Sequence, residues 1–174
     1  MAFPNSPVNG QIHNEYKYNN GVWELFSLKD SPSFSAHSNT VIELGSSIYF
    51  RPAASVVHVK PDGIGSWSNT KYIAPYSGYY YISANISFSN GDGVDDTFYV
   101  EIERIEPSNN ITRYFELALN PNEFTNSGSE MISSISGLVQ LNEGDSAGIY
   151  ISNINRTGVQ IVNFSISGHL VQLL

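Results

Sequence analysis

Cysteine is absent from the 174-residue sequence, which excludes a disulfide framework and any thiolate metal site. Basic residues are scarce: 8 Lys+Arg stand against 16 Asp+Glu, a formal net charge of −8. A negative field over the whole chain repels phosphate backbones and no basic run offsets it locally, so nucleic acid is not expected as a partner. No run of about 18 apolar residues occurs, and neither a transmembrane helix nor membrane insertion is expected. The opening Met1-Ala2-Phe3-Pro4-Asn5 has no basic n-region and no apolar h-region, so no secretory signal is expected there. Catalytic patterns are missing as well. His13, His37, His58 and His169 are scattered, with no Gly-x-Ser-x-Gly elbow, no His-Glu-x-x-His helix and no glycine-rich phosphate loop. The chain is therefore not expected to be an enzyme.

What the chain has is apolar and aromatic material in short alternating runs. Hydrophobic residues make up 41% and charged residues 14%, a composition that supports a core and argues against disorder. Aromatics reach 13%, with 11 Tyr and 9 Phe, more than one small core needs. No sustained 3.6-residue period is present. Period two recurs instead: Tyr80, Ile82, Ala84, Ile86 and Phe88 alternate with Tyr81, Ser83, Asn85 and Ser87. Phe98, Val100 and Ile102 do the same, as do Phe115, Leu117 and Leu119, then Ala147, Ile149 and Ile151, and finally Val162, Phe164, Ile166 and Leu170. The intervening Glu101 and Glu103, with Glu106 beyond, read as a solvated face. Turn-rich segments such as Pro107-Ser108-Asn109-Asn110 and Glu143-Gly144-Asp145 separate the runs. Each strand has one apolar face, so two sheets must stack to hide them, and the fold class is an all-β sandwich.

The first thirty residues differ. Pro4, Pro7 and Asn9-Gly10 precede two short apolar patches, Tyr16 and Tyr18 and then Val22, Trp23 and Leu25, around Asn19-Asn20-Gly21. A small hairpin is the economical reading. A boundary near Asp30-Ser31-Pro32 divides the chain into residues 1–30 and 31–174. So short a segment has little surface with which to bury Phe3, Tyr16, Tyr18 and Trp23, and these rings are candidates for docking on another protein.

Three segments resemble the globular head of the C1q and tumour-necrosis-factor-like superfamily. Tyr72-Ile73-Ala74-Pro75-Tyr76-Ser77-Gly78-Tyr79-Tyr80-Tyr81-Ile82 is similar to that superfamily's proline, two-residue gap, glycine and aromatic-rich strand. Gly137-Leu138-Val139-Gln140-Leu141-Asn142-Glu143-Gly144-Asp145 resembles its apolar strand and Gly-Asp turn, and Phe164-Ser165-Ile166-Ser167-Gly168-His169-Leu170 its terminal strand, with His169 at the usual aromatic position. Ser33-Phe34-Ser35-Ala36 resembles the opening strand. The resemblance covers residues 33–174. It implies a C1q/TNF-like jelly-roll sandwich, a homotrimer, and structural turn roles for Pro75, Gly78, Gly144, Asp145 and Gly168. The N-terminal Pro-x-x-Pro-x-x-Gly, Tyr strand, turn and Gly-x-Trp strand resembles a short module of bacteriophage tail-fibre and related appendage proteins.

Taken with that resemblance, the expected protein is a virion structural component. Residues 1–30 would attach to other virion proteins through Phe3, Tyr16, Tyr18 and Trp23, and the trimeric head would bind a host-surface receptor, a glycan or a protein. Tyr79, Tyr81 and Tyr150 are assigned to the trimer interface; with Tyr99 they are also candidates for a sugar-stacking platform. Two other functions stay open: a capsid decoration protein with the same trimeric fold, and a cellular C1q-like adhesion or spore-surface module, which the absence of collagen-like repeats disfavours. Asn90, Asp92, Asp95 and Asp96 crowd one loop with hard oxygen donors and are candidate Ca²⁺ ligands, against the simpler reading of a solvated loop. No other cofactor is expected.

Overall fold

The computed structural model describes residues 3–13, 16–25, 31–43, 49–60, 65–89, 98–119, 130–152 and 160–174. Within them the chain forms fifteen strands in three sheets. The candidate Ca²⁺ ligands Asn90, Asp92, Asp95 and Asp96 lie outside the described residues.

The N-terminal sheet has the order β1 (Ile12–His13), β2 (Tyr16–Asn19), β3 (Val22–Leu25). Asn20 and Gly21 turn β2 into β3 with φ of 46° and 96°. A two-residue turn with both φ values positive matches the twist of the strands it joins, and Asn-Gly tolerates that conformation best. Asn9 ties the upstream turn to this one, its Oδ1 accepting from the Asn20 amide at 2.9 Å. The hairpin expected from Asn19-Asn20-Gly21 is present, with a third short strand beside it.

The other two sheets face each other. One contains β4 (Ser33–Ser38), β5 (Ile42–Glu43), β7 (Val56–Lys60), β10 (Gly78–Ser89), β13 (Glu130–Leu141) and β15 (Gln160–Leu173), in the order β13-β10-β15-β4-β7, with β5 also pairing β15. The second contains β6 (Tyr49–Phe50), β8 (Ser66–Ser68), β9 (Lys71–Ile73), β11 (Phe98–Ile105), β12 (Ile111–Leu119) and β14 (Ser146–Ser152), ordered β12-β11-β14-β9-β8, with β6 on β14. Neighbours are antiparallel and, apart from the hairpins β8-β9 and β11-β12, far apart in sequence, the pattern of a jelly roll. The first and last strands of the sandwich, β4 and β15, lie side by side.

The inward residues of β10 are the ones its alternation indicates: Tyr80, Ile82, Ala84, Ile86 and Phe88 are all buried. Val100, Ile102, Ala147, Ile149, Ile151, Phe164, Ile166 and Leu170 join them from the other long strands. Removing each such aliphatic side chain from water contributes roughly 2 kcal/mol before the cost of ordering it.

Three alternations are broken by bulges, which sequence parity does not show. Opposite β11 the register slips between Glu101 and Ile102, so Phe115 has no partner and adopts a φ of 54°. Tyr114 turns toward the core in its place, and Phe115 is 41% exposed. Its ring covers the missing side chain of Gly137 on β13, since a Cβ there would fall 2.1 Å from Phe115 Cζ. On β15, Val162 and Val171 are the extra residues of two further slips. Ile161 enters the core instead of the expected Val162, and Val171 is left exposed.

Two glycines expected in turns serve close packing inside the sheet. Gly168 lies within β15 directly across from Phe34, and a Cβ there would meet Phe34 Cε1 at 2.6 Å and the Tyr81 carbonyl at 2.9 Å. The Phe34 ring leans into that gap and stacks on Tyr72 at 4.2 Å. Gly78 opens β10 where a Cβ would meet the Gln172 carbonyl oxygen at 2.4 Å. Pro75 precedes it, in the short link from β9 to β10. Gly144 alone among the three glycines has a left-handed φ, 85°, in the turn from β13 to β14.

Candidate functional site

The outer face of the β13-β10-β15-β4-β7 sheet is assembled by register. One row across it reads Leu138, Tyr81, His169, Ser33, Lys60; the next reads Ser136, Ser83, Ser167, Ser35, His58; the next Ser134, Asn85, Ser165, His37, Val56. Gln140, Tyr79 and Gln172 lie on one side of these rows, and Ile132, Ser87 and Asn163 on the other. In a chain with 16 Asp+Glu, these rows contain no carboxylate, and Lys60 is their one permanently charged side chain. Glu43 and Glu130 occur only in the row beyond, in register with Gln160 and Ser89.

The polar groups of this face partly satisfy one another. Ser134 Oγ donates to Asn85 Oδ1 at 2.6 Å, and Ser87 Oγ to Asn163 Oδ1 at 3.2 Å. Tyr81 and His169 are adjacent, with ring centroids 5.9 Å apart. Around them Tyr81, Leu138 and Val171 are 40%, 52% and 47% exposed, and Ile132 is 71% exposed. A central stripe of short serine side chains has exposed apolar side chains on its flanks, so another surface can approach the sheet closely there.

Tyr79 and Tyr81 thus belong to one face, but Tyr150 does not. It lies on β14, on the outside of the opposite sheet, and is only 8% exposed. The Arg113 guanidinium sits 4.2 Å from its ring centroid and that of Arg51 5.2 Å. These cation–π contacts cover the ring within its own chain, leaving little surface for a subunit contact. Tyr99 is on that same sheet, so the four tyrosines considered as a sugar platform are divided between two faces.

The expected solvated face at Glu101 and Glu103 is corrected by the same cluster. Glu101 is 7% and Glu103 1% exposed. Arg51 contacts Glu103 through both Nε and Nη2, the latter donating to Oε2 at 3.0 Å, and Arg113 Nε lies 3.5 Å from Glu101 Oε2. Burial holds the Glu101 carboxyl above the usual carboxylate range despite the opposing pull of Arg113, with Glu116 and Glu103 adding to the rise. Long cationic side chains from β12 and from the segment after β6 lie across this surface, and an alternation pattern carries no sign of that cover.

Asp145 is 2% exposed and closes the Gly144 turn. Its Oδ2 accepts from the Asn142 amide at 2.6 Å and from Arg104 Nε at 2.7 Å. Arg104 Nη2 also donates to Glu106 Oε1 at 3.1 Å. Glu106 accepts from Asn110 and Ser108 too; these bonds, that of Asn110 foremost, together with Arg104 hold its carboxyl below the usual range. The turn role of Asp145 was legible in sequence, whereas its partner 41 residues upstream was not.

In the N-terminal sheet the candidate attachment rings pack first on one another. Phe3 stacks on Trp23 at 4.9 Å, Tyr16 meets Phe3 edge-on at 5.4 Å, and Tyr18 lies 5.2 Å from Trp23. His13 completes the group, 5.8 Å from Phe3. All five side chains are half-buried, so the segment covers more of its own aromatic surface than its length suggests. Among the described residues no group of three or more His, Cys, Asp or Glu is placed to hold a metal ion.

No protein-family model and no curated protein matches the sequence. Solved structures do match in shape. The globular domain of zebrafish complement 1qA protein superposes with a TM-score of 0.57 at 13% identity, over 82% of this chain and 99% of that one. Murine APRIL gives 0.58 at 9% identity over 81% and 99%, and the Eiger TNF of S. frugiperda 0.59 at 11% over 82% and 95%. The chain therefore has the C1q/TNF-like jelly-roll fold. At these identities it is the fold that is established.

Proposed function

We propose that this protein is a non-enzymatic assembly and binding module. Three copies meet through the carboxylate-free sheet face, residues 1–30 attach the assembly to other virion proteins, and the head presents its remaining surface to a host glycan or protein receptor. The observation that carries the reading is the face itself. Three copies bring together a formal charge of 3 × −8 = −24, and they associate with least repulsion where acids are missing. The threefold arrangement is the one the resemblance to C1q and TNF-like heads implies. Among the described residues the aromatic sheet β1-β2-β3 pairs only within itself, which supports a separate attachment role.

Sedimentation equilibrium at about 10 µM tests the assembly. The intact chain should have the mass of three subunits, and Tyr81→Glu with Leu138→Glu should have the mass of one while keeping its far-UV circular dichroism. A wild-type monomer at that concentration would overturn the reading. For the attachment role, a chain lacking residues 1–30 should fold and bind host cells but fail to enter particles. Particles that incorporate the shortened chain normally would remove that role.

A further inference from the structure

Asn-Gly pairs occur at Asn9-Gly10, Asn20-Gly21 and Asn90-Gly91. The first two sit in neighbouring turns of the N-terminal sheet, and the third lies outside the described residues. In such a pair the glycine nitrogen is free to attack the asparagine side-chain carbonyl, because no Cβ crowds its approach. We infer that Asn20 is a site of spontaneous modification: in the folded chain it loses ammonia to ring closure by Gly21 and becomes isoaspartate or aspartate, while the hydrogen bonds around Asn9 hold that pair unreactive.

The chemistry is a ring closure followed by hydrolysis. The Gly21 nitrogen bonds to Asn20 Cγ and the Cγ–Nδ2 bond breaks. The departing amino group takes the Gly21 amide proton and leaves as ammonia, and a five-membered succinimide remains. Water, the only co-reactant, then opens the ring at either carbonyl. Opening at the main-chain carbonyl leaves the chain running through Cγ as isoaspartate. Opening at Cγ restores the original main chain as aspartate.

The two turns differ at both reacting atoms. Asn20 and Gly21 are exposed and join β2 to β3 with φ of 46° and 96°. A two-residue turn gives its ladder bonds to the flanking pair, here Asn19 and Val22, and leaves the amide of its second residue to water. The approach is open as well, since a Cβ placed on Gly21 would meet none of the described atoms within 4 Å. At the other turn the Gly10 amide donates to the Tyr18 carbonyl at 2.8 Å, which occupies the attacking nitrogen. The Asn9 carboxamide is fixed too, its Oδ1 accepting from the Asn20 main-chain amide at 2.9 Å. Attack at Asn9 therefore waits on local opening of these bonds.

Isoaspartate adds one main-chain carbon to a turn built for two residues. The Tyr18↔Trp23 pair lies directly beyond that turn, and Trp23 holds Tyr18 at 5.2 Å and Phe3 at 4.9 Å. A sheet this short is marginal, so isoaspartate at position 20 loosens the aromatic cluster. Aspartate suits the same turn and leaves it in place.

The test incubates the full chain at pH 7.5 and 37 °C for weeks. Peptide mapping by mass spectrometry reads conversion at Asn9, Asn20 and Asn90 separately and distinguishes isoaspartate from aspartate by fragmentation. In the folded chain Asn20 should convert at least about tenfold faster than Asn9, whose reaction needs an opening step. Isoaspartate should form along with aspartate, and conversion should quicken from mildly acidic to mildly alkaline buffer. In concentrated guanidinium chloride the two sites should convert at similar rates, since folding alone separates them. Equal rates in the folded chain would overturn the inference, as would an Asn20 that stays intact there while converting in the unfolded chain. Aspartate as the sole product would mean direct hydrolysis and overturn the ring closure. For the structural effect, the chain with isoaspartate at position 20 is separated chromatographically and compared with Asn20→Asp. Its tryptophan emission should shift to the red, and that of Asn20→Asp should match the unmodified chain. No shift in the isoaspartate chain would overturn the loosening of the cluster, and an equal shift in Asn20→Asp would assign it to charge and overturn the role of the added carbon.

Discussion

Replacing Asp145 by Ala removes two short hydrogen bonds from one buried oxygen, the acceptor of both the Asn142 amide and Arg104 Nε. The Asn142 amide can recover water, because residues 142–144 of the turn are exposed. Its loss is that of one charge-assisted bond, about 1.5 kcal/mol. Arg104 is worse placed. Its side chain is 13% exposed, and its other acid, Glu106, is 33% exposed, so the mostly buried guanidinium is left with that partly screened acid and the Tyr114 side chain. Because those two partners remain, the cost on the Arg104 side is below that of an uncompensated buried charge, about 2 kcal/mol, and the two contributions together set an expectation of about 3–4 kcal/mol. In a chain of this size that corresponds to a melting-temperature drop on the order of 10 °C. Urea unfolding at fixed protein concentration measures it, the concentration being held because assembly contributes to apparent stability. The diagnostic is a cycle with Arg104→Met. The double variant should be less destabilised than the sum of the singles by at least about 1 kcal/mol, since removing the cation removes the stranded charge. A loss below about 1 kcal/mol for Asp145→Ala, or strict additivity with Arg104→Met, would refute the reasoning and leave Asp145 a simple turn residue.

Three further outcomes follow from the core and from the opposite sheet. Tyr72 is buried with a hydroxyl that has no hydrogen-bond partner among the described residues, so Tyr72→Phe should leave stability unchanged or raise it by up to about 1 kcal/mol; a loss of 2 kcal/mol would show that the hydroxyl is bonded. Gly168→Ala should destabilise by about 1–3 kcal/mol, because the added methyl displaces the Phe34 ring from its place against Tyr72, and Phe34→Leu in the same chain should recover part of the loss in a thermal melt. Glu101 is held above the ordinary carboxylate range, first by burial. The folded chain keeps that proton to higher pH than the unfolded chain does, so this group's contribution is complete below about pH 4.3 and is lost as pH rises through the folded value. Glu101→Gln should therefore gain stability relative to wild type as pH rises from 4 to 7; a difference that is flat or shrinks across that range would sink the assignment.

The sandwich was legible because its long strands write burial directly into period two. Tyr80 through Phe88 and Ala147 through Ile151 have one apolar face each, and no helical pattern competes. The hairpin at Asn20-Gly21 was equally local, since a two-residue turn with both φ values positive selects those residues without help from the rest of the chain. The turn at Gly144-Asp145 could be read for the same reason.

Parity assigns a residue to a side of a sheet, and it says nothing about what lies over that side. Glu101, Glu103 and Tyr150 are outward by alternation and yet buried, because Arg51 from a distant segment and Arg113 from the neighbouring strand β12 cover them. Phe115, Val162 and Val171 defeat alternation outright, since a bulge shifts the count by one at a place set by the pairing of two strands. The carboxylate-free face had no local signal either. Its serines, histidines and tyrosines come from five strands between Ser33 and Gln172, and only the register of β13, β10, β15, β4 and β7 lines them into rows. The residues of each strand determine that it is a strand and which of its sides is apolar; which outward side chains become neighbours depends on pairings between distant segments, and those exist only once the sheets have closed.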